Sequence, residues 1–92
     1  MDFEKRLATA ILDAIKIFKD SFDRKAADKA AQSTNLFNCA DSFTFYKKSH
    51  KEAANEAADN VGFDSGMTLP ICLLIKYTQN NIQAWAEEIT KS

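Results

Sequence analysis

"FEKRLATAILDAIKIFKDSF", residues 3–22, decides how this chain folds. Phe3, Leu7, Ile11, Ile15, Phe18 and Phe22 recur every three or four residues, a spacing that gathers them on one face of an α-helix. Ala10 and Ala14 widen that face, and Asp2, Arg6, Asp13 and Asp20 lie opposite. Leu12 and Ile17 fall off the stripe on its two flanks, so this helix is expected to be covered from more than one direction. Strand signals are missing: the chain has a single valine, Val61, and no sustained alternation of apolar and polar residues.

Working outward, "DRKAADKAAQ" at 23–32 is helical by propensity but offers only alanine for burial. It continues the first helix with a kink near 21–24, or starts a new helix capped at Asp20 or Ser21. "STN" at 33–35 brings three N-cap-type residues together and is the expected break. Asn38 and Asp41 resemble a weak capping pair, and a second helix is expected from there to about Asn60. Its face carries Phe43, Tyr46, His50, Ala53 or Ala54, Ala57 and Val61, with Leu36 or Cys39 and Ala40 before them. The small alanines of its second half would let a neighbouring helix approach closely.

Residues 59–71, "DNVGFDSGMTLPI", hold both glycines and the only proline of the chain. As a calcium loop starting at Asp59 the stretch fails. Val61 stands at the third position, Asp64 where a glycine is needed, and Pro70 where a bidentate glutamate is needed. As a phosphate loop it lacks GK[ST] after the glycines. It reads as punctuation: Gly62 ends one helix in the left-handed cap position, and Thr68 with Pro70 opens the next. Phe63 and Met67 are expected to fold inward over the end of the bundle. The last helix presents Ile71, Leu74, Ile75, Thr78, Ile82, Trp85 and Ile89 along one face, with Leu73, Tyr77 and Ala84 as a second stripe behind it. The expected architecture is all-α, a single domain over residues 1–92. It is an antiparallel helical bundle of three long helices, or four if the first is broken near 21–24 or 33–35.

Composition bounds the function. The chain is 46% hydrophobic and 27% charged, which suits a globular domain rather than a disordered one. Twelve Lys and Arg against 13 Asp and Glu leave a net charge of −1, so no global field is available to hold a polyanion. The N-terminal charges leave no room for a secretory apolar core, and the longest apolar run, Ile71–Ile75, is far short of a bilayer span. The expected location is therefore cytoplasmic, with no membrane contact.

No pattern calls for a cofactor or a metal. His50 is the only histidine and lacks converging ligands, so it is expected to be a half-exposed boundary residue rather than a metal ligand or a catalytic base. Cys39 and Cys72 each open a helix, and antiparallel packing would separate them by some 30 Å. A disulfide needs Cα atoms within about 7 Å, so both are expected as free thiols.

Two surfaces remain. The turn around Ile71–Ile75 is apolar on every side, which implies burial on every side, either inside the bundle or against another protein. Leu73, Tyr77 and Ala84 are the leading candidates for such an interface, with Leu12, Ile17 and Phe45 behind them. Lys47, Lys48 and Lys51, in "YKKSHK" at 46–51, are the alternative, a phosphate or nucleic-acid patch diluted by Glu52, Glu56 and Asp28. The expected function is non-enzymatic: a small adaptor, regulator or stoichiometric inhibitor that binds another protein or a second copy of itself. Nucleic acid is the less expected partner.

Overall fold

The computed structural model describes residues 3–32 and 45–91. They form α1 (Phe3–Asp20), α2 (Arg24–Gln32), α3 (His50–Asn60), a 3-10 turn (Ser65–Met67), α4 (Thr68–Tyr77) and α5 (Gln79–Lys91). The protein is an all-α helical bundle, as expected, with five helices among the described residues because the expected first and last helices are each divided in two.

α1 is the central element and packs against α3, α4 and α5. Ala8, Ala10, Ile11, Ala14, Ile15 and Phe18 are buried on it; this is the middle of the expected face with Ala8 added, while Leu7 is half-buried and Phe3 and Phe22, at the two ends of the stripe, are exposed. Leu12 and Ile17 are half-buried against the same core, as a helix covered from several directions requires. α3 contributes Ala53, Ala54, Ala57 and Ala58, all but fully buried. Four small side chains let its axis approach α1 at the short end of the usual range, about 8 Å. The two run antiparallel: Phe3 meets Phe63 just beyond the end of α3 (ring centroids 5.6 Å apart), and Phe18 meets His50 at its start (4.0 Å). Ile71 and Ile75 from α4 and Ala86 from α5 complete the core. Ile11, Ile71 and Ile75 are its largest fully buried side chains, each contributing about 1.5–3 kcal/mol through removal from water.

The first helix is broken at 21–23, and Asp23, not Asp20 or Ser21, caps α2. Its carboxylate accepts from the Ala26 N–H at 3.1 Å, and its carbonyl accepts from Ala27. Ser21 turns back instead: its hydroxyl donates to the Phe18 carbonyl at 2.6 Å and accepts from the Lys48 N–H at 3.3 Å. Phe22 and Tyr46 form an antiparallel bridge there, flanked by hydrogen bonds from Asp23 N–H to the Phe45 carbonyl and from Lys47 N–H to the Ser21 carbonyl. The backbone of α1's end is therefore held by a segment some 25 residues away in sequence. Beyond the break, α2 packs on no other described helix.

The second helix starts later than expected. Residues 45–49 are not α-helical; α3 begins at His50 behind a complete capping box. The Ser49 hydroxyl accepts from the Glu52 N–H (3.1 Å) and the Glu52 carboxylate from the Ser49 N–H (3.2 Å). The expected cap at Asn38 and Asp41, the break at 33–35 and the positions of Leu36, Cys39, Ala40 and Phe43 lie outside the described residues.

The helix ends at Gly62 as expected. Gly62 has φ +79°, its N–H bonds the Asp59 carbonyl, and Phe63 N–H bonds Ala58, which together make a Schellman motif. Phe63 and Met67 fold onto the core. Arg6, read as polar surface, holds this turn from outside. Its guanidinium donates to the Val61 carbonyl at 2.8 and 3.2 Å and lies 4.7 Å from the Phe63 ring centroid. Thr68 is buried at the start of α4, where its hydroxyl donates to the Asn55 side-chain oxygen (2.9 Å) and ties α4 to α3.

The last helix is two helices. Thr78 leaves helical geometry at φ −129° and ψ 30°, with its hydroxyl bonding back to the Leu74 carbonyl at 2.7 Å. Its own carbonyl then accepts the first hydrogen bond of α5, from Ile82. A threonine followed by Gln79, Asn80 and Asn81 is a run of residues that favour caps over helix interiors.

Candidate interaction surface

α4 has no charged residue except Lys76, and its ten residues must place apolar side chains on both sides. Packing on α1 and α3 selects Thr68, Ile71 and Ile75 for the interior. Leu74 and Cys72 are half-buried at the edges. The remaining apolar side chains point outward: Leu69 is 64% exposed, Leu73 45% and Tyr77 69%. Successive steps of four residues put the three in one ridge along the helix. Pro70 and Lys76 complete the outward face, and the Lys76 ammonium lies 5.4 Å from the Tyr77 ring centroid. The outward surfaces of α3 and α5 are instead made mostly of Lys, Glu, Asp, Asn and Thr.

Of the expected interface residues, Leu73 and Tyr77 stand together on this ridge. Ala84 is exposed but sits on α5, past the bend at Thr78, so the three do not form one helix face. Leu12 and Ile17 are packed against the core. Phe45 is half-buried, and its carbonyl belongs to the bridge beside Phe22. Leu69 is absent from the sequence-based set, although its spacing of four from Leu73 is the signal that places it there.

The basic patch lies around the start of α3, the end that Lys76 of α4 approaches near His50. Lys48 is bound to Glu56 at 2.6 Å, with both side chains nearly half exposed, so its charge is locally balanced. Lys47 is exposed on the non-helical segment, where its N–H serves the bridge to Ser21. Lys51 is exposed on α3 and lines a groove of about 470 Å³ along the α3–α4 seam with Asn55 and Thr68. Of the three lysines, Lys48 is thus paired with a carboxylate, whereas Lys47 and Lys51 are exposed.

His50 is held in an aromatic stack. The Phe18 ring lies 4.0 Å from the His50 ring and 4.2 Å from Tyr46, within 18° of parallel to each, so the two occupy its opposite faces. Burial, and then the nearby Lys76 ammonium, lower the proton affinity of His50 below the ordinary histidine value. No group of three or more His, Cys, Asp or Glu side chains that could hold a metal occurs among the described residues. Cys72 is a free thiol, while Cys39 lies outside the described residues. No described helix is long and apolar enough to cross a membrane. Comparison with known protein families, with curated proteins and with solved structures finds no match.

Proposed function

We propose that this chain is a non-enzymatic protein-interaction module, a small adaptor, regulator or stoichiometric inhibitor, that binds another protein through the outer face of α4. One observation carries the reading: Leu69, Leu73 and Tyr77 form a ridge exposed to water on a helix whose opposite side is fully buried. Scattered exposed leucines are ordinary, but an apolar row of this kind with an aromatic at one end is the anatomy of a binding hot spot. The proposed mechanism is burial of Tyr77 and Leu73 as anchors, within a rim formed by Lys76 and the polar residues of α3.

The test replaces Leu73 and Tyr77 by Asp, singly and together. The expected result is a folded protein whose far-UV circular dichroism is unchanged and whose stability moves by no more than about 0.5 kcal/mol, with loss of association. Loss of helicity and of cooperative melting would identify the ridge as core and overturn the reading.

A further inference from the structure

We draw no further inference here: the strongest candidate, the outward apolar ridge of Leu69, Leu73 and Tyr77 on α4, belongs to the interaction surface already described, and nothing in the structure shows what covers it.

Discussion

Replacing Gly62 by Ala tests the hinge on which α4 is hung. Gly62 holds φ +79°, where an L-residue loses roughly 1–2 kcal/mol through its Cβ. Part of that is offset, by about 0.4–1 kcal/mol, because alanine also restricts the unfolded chain. The new methyl would sit 3.3 Å from the Arg6 guanidinium, so Arg6 must retreat by a few tenths of an ångström. Its two bonds to the Val61 carbonyl would lengthen, and exposed hydrogen bonds of this kind contribute about 0.5–1.5 kcal/mol each. The sum is a loss of about 1–2 kcal/mol. Urea unfolding followed by circular dichroism should show a midpoint lower by about 1 M at unchanged slope, taking that slope as near 1–2 kcal/mol/M for a small domain. Gly62→Asn, which tolerates the left-handed region better, should lose less. Gly66 is the internal control. It has no positive φ, and a Cβ there would meet the exposed Asp64 carboxylate oxygen at 3.0 Å, the oxygen that accepts from the Gly66 N–H, so Gly66→Ala should lose only part of that one exposed hydrogen bond and less than Gly62→Ala. Equal losses at the two glycines, or none at Gly62, would refute the assignment of the turn.

Three further outcomes are expected. Ile71→Ala should cost about 2–5 kcal/mol as a fully buried truncation, whereas Leu73→Ala, two residues on but exposed, should cost well under about 1 kcal/mol; comparable losses would place Leu73 in the core. Ser49→Ala removes half of the capping box and should cost about 1 kcal/mol, read by thermal melting, with Ser49→Asp restoring most of it. His50 should titrate by NMR below the ordinary histidine value of 6.5. Its folded affinity for a proton is the lower one, so the unfolded chain takes up the proton first. Stability is then independent of this group above pH 6.5 and falls as the pH drops from there towards the folded pKa. His50→Phe, which keeps a stacked ring, should remove that slope; a midpoint at or above 6.5 would contradict the stacked, lysine-facing placement.

Much of the fold was legible because the forces that set it act within one or two turns of chain. The apolar spacing of α1, the Gly62 cap, the Thr68–Pro70 opening and the inward fold of Phe63 and Met67 depend on residues a few positions apart. The capping box at Ser49 and Glu52 and the cap-favouring run at Thr78 are local signals too. The apolar residues around them, Tyr46 on one side and Tyr77 and Ile82 on the other, read as unbroken helix faces and hid them. Part of the surface was legible as well: Leu73 and Tyr77 stood out because a helix apolar all round needs two covers.

The sequence by itself therefore determined a helical chain, where most of its turns fall and that α4 has more apolar surface than one neighbour can hide. Only the tertiary structure decided which side of α4 goes inward. Isoleucines and leucines at every angle leave the helix with no preferred face of its own, so α1 and α3, packing from distant parts of the chain, make the choice. Ile71 and Ile75 fill the space beside small alanines, and Leu69, Leu73 and Tyr77 are left to water. The break after Asp20 has the same origin. Helical propensity runs on through 23–32, but Ser21 and Asp23 bond to the backbone of 45–48, and a long-range pairing overrides a local preference of a few tenths of a kcal/mol per residue.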